Sequence, residues 1–131
     1  MKYMLMMHTP RDMSGGMESW SPEDVKNHIE FQHRFDRELT EAGEMVFNEG
    51  LTFPDQALVV RADDKGAPVV TDGPFPESKE FLIGFWIVDV ATAERAYEIA
   101  ATASSAPGPG GQALGIPIEV RPIAGPPPIE V

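Results

Sequence analysis

Thr71-Asp72-Gly73-Pro74-Phe75-Pro76-Glu77-Ser78-Lys79-Glu80 leads directly into Phe81-Leu82-Ile83-Gly84-Phe85-Trp86-Ile87-Val88-Asp89-Val90. The two halves of this stretch ask for opposite structures. Aspartate, glycine and proline in succession make a turn: the carboxylate bonds nearby backbone amides, glycine allows positive φ, and proline fixes the exit. Phe81 to Val90 is the longest apolar run of the chain. Its apolar side chains fall on both alternating faces, which describes a strand covered on both sides.

Working downstream, Thr92 can cap a second helix over roughly residues 93 to 103, with Ala96, Ile99, Ala100 and Ala103 facing inward. Residues 104 to 115 are rich in Ser, Pro and Gly and read as a loop. Ile116 to Ile123 is a last strand, and Gly125 to Val131, with three consecutive prolines, an extended tail. The expected division is one domain over 1–123 and a Pro-rich tail over 124–131.

Upstream, Leu58 to Arg61 and Pro68 to Thr71 flank Asp63-Asp64-Lys65-Gly66, a hairpin signal. Met45 to Phe53 reads as a strand interrupted at Glu49-Gly50. Before it, Ser21-Pro22-Glu23-Asp24 is a helix start: Ser21 caps, Pro22 suits the first helical position, and the acids favour the positive end of the dipole. That helix should run to about Ala42, stopped by Gly43. Val25, Ile29, Phe31, Phe35, Leu39 and Ala42 share one broad face, and His28 and Gln32 fall inside the same arc, with His33 at or beyond its edge. Residues 9 to 20 read as a loop, and Lys2 to His8 as a central strand apolar on both faces.

The order is therefore strand, helix, strand, hairpin, strand, helix, strand. Without the hairpin this is the split β-α-β arrangement of ferredoxin-like folds, an α+β class. Such a sheet carries helices on one face, and a second copy of the chain is the simplest cover for the other. A homodimer, forming a dimeric α+β barrel, is the expected state.

Composition narrows the function. The 131 residues suit one domain, and 42% are hydrophobic, a globular value. No cysteine is present, which excludes disulfides, thiolate metal sites and cysteine nucleophiles. Ten Lys and Arg against 21 Asp and Glu leave a net charge of -11, which repels phosphate backbones, so no nucleic-acid partner is expected. The opening MKYMLMMHTPRD has a short apolar run without a small-residue cleavage site and reads as a strand. No apolar stretch approaches the roughly 20 residues of a membrane helix. No membrane association and a cytoplasmic location are the expectations. Gly108-Pro109-Gly110-Gly111 has prolines where a phosphate loop needs amides, and it follows a helix. The three histidines lack His-x-x-x-His spacing, so neither a metal nor a cofactor is expected.

His28 is the strongest acid–base candidate, because an imidazole on an apolar helix face points towards the sheet and titrates near neutrality. Its plain alternative is a core histidine with satisfied hydrogen bonds. Asp72 is either a turn residue or a carboxylate at the mouth of a pocket, able to act as base or to orient a histidine. Lys79 belongs to a solvated charged segment, or else anchors an anionic substrate within an acidic protein. His8, at the end of the first strand, ranks next, and His33 reads as a surface residue.

The Asp72–Glu80 segment and the glycine and aromatics after it resemble the DGPF signature of the YCII-related family, whose usual form is close to DGPFAETKE. Pro76 stands for the common alanine and Ser78 for the common threonine. MKYMLMM, the strand bearing Gly50, and Ile118-Glu119-Val120-Arg121-Pro122-Ile123 match the family pattern as well. The resemblance implies a ferredoxin-like domain that dimerises sheet to sheet, often encoded beside or fused to extracytoplasmic-function sigma factors. It also implies kinship with a dehydrochlorinase of a chlorinated aromatic, for which a histidine–aspartate pair is the suggested site. The family's first-helix histidine aligns near Gln32, with His33 one residue on and His28 one turn before, and Gln32 joins Lys79 and His8 as a candidate substrate-binding residue. Two readings stay open. One is a cofactor-independent lyase or isomerase acting on a small anionic, aromatic compound through His28 and Asp72. The other is a non-catalytic module that senses a small ligand or works with a sigma factor.

Overall fold

The computed structural model describes residues 1–10, 16–75 and 79–129. In chain order these form β1 (Lys2–Pro10), α1 (Pro22–Glu41), β2 (Met45–Gly50), a 3-10 turn (Pro54–Gln56), β3 (Leu58–Ala62), β4 (Pro68–Asp72), β5 (Glu80–Asp89), α2 (Ala93–Ser104), a second 3-10 turn (Pro109–Gly111) and β6 (Ile118–Pro122). The main sheet has the order β2-β5-β1-β6, and its three pairings are antiparallel. Among the described residues β3 and β4 pair only with each other. This is the ferredoxin-like α+β fold, with a hairpin inserted between the second and third strands of the sheet.

Local chemistry sets the element ends. Ser21 Oγ accepts a hydrogen bond from the Asp24 amide at 3.1 Å, with Pro22 opening the helix and Glu23 and Asp24 in its first turn. Gly43, at φ 74°, ends α1. Thr92 Oγ1 caps α2 by accepting from the Arg95 amide at 3.2 Å. In the hairpin, Asp63 Oδ1 accepts from the amides of Lys65 and Ala67, both at 2.9 Å, and Gly66 takes φ 82°.

The core lies between the helices and one face of the sheet. Tyr3 and Leu5 of β1, Val88 of β5, Phe35 and Leu39 of α1, and Ile99, Ala100 and Ala103 of α2 form one buried cluster, with Trp86, Met45, Ile118 and Val120 packed on it. The α1 arc that meets the sheet is narrower than expected: Ile29 is 38% exposed, and Ala42 caps the helix in solvent. The expected strand Met45 to Phe53 ends at Gly50; Leu51 still donates its amide to Ile83 O at 2.9 Å before the chain turns at Pro54–Gln56. β6 is likewise shorter than the expected Ile116 to Ile123.

A bidentate ion pair joins the start of β2 to the first turn of α2. Arg95 Nε donates to Glu44 Oε2 and its Nη2 to Oε1, both at 2.9 Å. These hydrogen bonds hold the Glu44 carboxyl below its usual value and raise the Arg95 guanidinium, while desolvation opposes both shifts.

Because Tyr3, Leu5, Trp86, Val88, Ile118 and Val120 face the helices, the alternate residues Met4, Met6, Phe85 and Ile87 face the other way. Phe47, 50% exposed, extends this second face, its ring 5.9 Å from that of Phe85. On the edge strand Glu119 lies opposite Met6 and Arg121 opposite Met4, so a carboxylate and a guanidinium border the apolar centre. Among the described residues, no helix is long and apolar enough to cross a membrane.

Candidate functional site

The hairpin enters and leaves the body through two short segments, and the space between them is a half-open groove of about 370 Å³. One wall is Leu51, Thr52, Phe53, Pro54 and Ala57, and the other is Pro74 and Phe75 with the first residues of β5, Glu80, Phe81 and Leu82. Two backbone hydrogen bonds clamp the walls: Leu51 N to Ile83 O, and Gly73 N to Ala57 O, each 2.9 Å. Phe53 and Phe75 remain about half exposed at 48% and 58%, so the aromatic lining is open to solvent. Ring-bearing walls with few polar groups are common in small-molecule sites, though this groove is open along one side where such sites enclose most of their ligand.

His28 stands elsewhere. It is 8% exposed, and both ring nitrogens are occupied. Nδ1 lies 2.9 Å from Pro107 O, which can only accept, so Nδ1 carries the hydrogen. Nε2 then accepts from Gln32 Nε2–H at 3.0 Å. Trp20 packs edge-on against the ring, centroid to centroid 5.4 Å. One turn earlier on α1, Asp24 Oδ2 accepts from the Gly110 amide at 3.2 Å. Together these contacts fasten α1 to the loop after α2. The ring is held in a structural shell with both nitrogens engaged.

The structure brings His28 and Gln32 together, and among the described residues no hydrogen bond or ion pair joins either of them to Asp72. Asp72 is the last residue of β4, paired with Leu58; it is exposed, and its carboxylate makes no hydrogen bond to a described residue. Lys79 is exposed just before β5 and is not among the described residues that line the cavity. His8 is partly buried opposite Leu82, where the β1–β5 register shifts. His33 is exposed. Residues 76–78 of the motif, with Glu77, lie outside the described residues, as do loop residues 11–15 and tail residues 130–131. No group of three or more His, Asp or Glu suited to a metal occurs among the described residues.

Gly73 departs from expectation, because its φ is not positive. What requires glycine there is space: a Cβ would lie 3.1 Å from both the carbonyl carbon and oxygen of Ala57 and 3.2 Å from Val59 Cγ2. Two of those three atoms are backbone and cannot swing aside. Gly73→Ala is expected to lower stability by about 1–2 kcal/mol through this crowding, read from a denaturant midpoint. An unchanged midpoint would show that β3 and β4 can separate there without cost.

The cavity residues Leu51, Phe53, Pro54 and Phe75 escaped the sequence reading. The available signal was an aromatic beside a proline on each side of the hairpin, Phe53-Pro54 and Pro74-Phe75. Trp20 and Pro107 carry no such signal, since only folding makes them neighbours of His28.

An antiparallel βαββαβ sheet with a hairpin inserted before its third strand, and an aromatic cavity at the hairpin's root, define an α+β domain of ferredoxin-like class. The chain belongs to the YCII-related domain family, whose model matches residues 1–109. It is also similar to an uncharacterised protein of Rhizobium meliloti (strain 1021), 33% identical over 107 residues that cover 81% of each chain.

Proposed function

We propose that this chain is a binding module for a small, largely apolar molecule held in the cavity at the root of the β3–β4 hairpin. The observation that carries this reading is the cavity itself: about 370 Å³, walled by Leu51, Phe53, Pro54, Phe75, Phe81 and Leu82. Catalysis by a His28–Asp72 pair has less support, because His28 would have to release Pro107 O or Gln32 before it could move a proton. Titration with the neutral fluorophore N-phenyl-1-naphthylamine is expected to give saturable enhancement. Phe53→Ala is expected to weaken it about tenfold or more, since burying a phenyl ring contributes roughly 1.5–3 kcal/mol. Linear, unsaturable enhancement in the wild type would end the proposal.

A second reading concerns assembly and rests on the uncovered sheet face. Met4, Met6, Phe85, Ile87 and Phe47 form an apolar centre bordered by Glu119 and Arg121. A two-fold axis through such a face would set apolar centre on apolar centre and each Arg121 towards an acid of the other copy. That self-complementarity supports a sheet-to-sheet homodimer.

A further inference from the structure

Directly opposed residues of an antiparallel pair share a side, so β3 and β4 form a ribbon with two distinct faces. One carries Leu58, Val60 and Ala62 with Val70 and Pro68, and has Asp72 at its root. The other carries Val59, Arg61, Val69 and Thr71. The first face is apolar from Leu58 to the tip, yet it stands in solvent: Leu58 is 62% exposed, Val60 59% and Val70 54%. A two-stranded ribbon is by itself marginally stable in water and needs a surface to pack on. These exposures show that the chain's own body does not supply one. The bare apolar surface continues onto the uncovered face of the main sheet. Phe47, Leu51 and Phe53, each about half exposed, alternate along the segment that leaves β2, and the Leu51 amide on Ile83 O keeps that segment in register with β5. The sheet face alone is small for a stable contact. Four strands wide and, at β6, five residues long, it measures roughly 19 Å by 17 Å in projection. A standard interface buries about 800 Å² of accessible surface per partner. The hairpin, two strands of five residues each, enlarges the apolar patch by about half.

We infer that the hairpin is an arm of the dimer, its Leu58–Val60–Ala62 face covered by a second copy of this chain. This rests on the reading of the open sheet face as a dimer interface and adds a second contact to it. By two-fold symmetry each arm lies on the other copy, so one substitution on the arm acts twice. Each copy carries a net charge of -11, but the resulting repulsion is screened beyond about 8 Å at physiological salt. The arm face itself brings no charge apart from Asp72 at its root.

The test measures the dimer dissociation constant by sedimentation equilibrium at physiological salt. Val60→Asp is expected to raise it about tenfold or more, since the change buries a carboxylate twice per dimer. The chain has no cysteine, so a single one can be introduced and labelled with the polarity-sensitive dye acrylodan. The dye at Ala62→Cys is expected to shift its emission to the blue as rising protein concentration forms the dimer. At Arg61→Cys, on the opposite face, the shift is expected to be smaller. An unchanged constant in Val60→Asp, with no shift at Ala62→Cys, overturns the inference while the sheet-to-sheet dimer stands. Equal shifts at the two positions overturn it as well, because the arm then has no covered face. So does a shift that requires phosphatidylcholine vesicles and not protein concentration, since the arm then meets lipid. A wild-type protein that stays monomeric ends both readings. If Val60→Asp does not fold, the labelled proteins decide alone.

Discussion

His28→Ala is expected to lower the stability of this domain by about 2–4 kcal/mol, a fall in melting temperature of about 8–15 °C for a chain of this size. The ring fills space between Trp20, Gln32 and Pro107 at 8% exposure. Removing it opens a cavity and takes the donor from Pro107 O, a loss that costs more than the hydrogen bond itself contributed. The tie between α1 and the loop after α2 would then rest mainly on the Asp24–Gly110 hydrogen bond. His28→Gln, which keeps an amide donor, is expected to lose less. Binding of N-phenyl-1-naphthylamine to whatever fraction remains folded should be unchanged in both variants, because His28 does not line the cavity. A melting temperature within a degree or two of the wild type, combined with lost binding, would reverse the assignment and make His28 a residue of the site.

The wild-type protein at micromolar concentration is expected to scatter light as twice 14.3 kDa, and Phe85→Glu as 14.3 kDa. Phe85 lies on the uncovered face near the exposed ring of Phe47, in the strand between β2 and β1. In an isologous dimer one substitution places two carboxylates in the interface, so its effect is doubled and neither charge has water to solvate it. In a monomer this position is partly buried beside Phe47, and a carboxylate there can still reach solvent and leave the fold intact. The far-ultraviolet spectrum of the variant separates dissociation from unfolding. A wild-type mass of one chain would dismiss the sheet-to-sheet dimer.

The element order was legible because each element carries its own local reason. Ser21 and Thr92 cap their helices, Gly43 stops the first, Asp63 and Gly66 turn the hairpin, and Phe81 to Val90 is too apolar to lie anywhere but in the sheet. The DGPF stretch led to the family, and the family match over residues 1–109 agrees with it. Read from the residues alone, the inward positions Ala96, Ile99, Ala100 and Ala103 of α2 were also plain, since small residues at helical spacing allow close approach to a sheet.

What lies around the candidate residues was decided by tertiary structure. The sequence by itself left His28 as an acid–base candidate or a core residue, because periodicity states which face a side chain shares and not what meets it. Pro107, 79 positions away, supplies the acceptor. The same holds for Gly73, where a turn rule pointed to backbone conformation and the approach of Ala57 turned out to be the constraint. Of the Asp72–Glu80 segment, Pro74, Phe75 and Glu80 line the groove at the hairpin root, and Asp72 and Lys79 are not among its described lining residues. Adjacent residues at the start of a strand point to opposite sides. Which side chains reach the groove therefore depends on how the strand sits against the hairpin, a relation that only the folded chain defines.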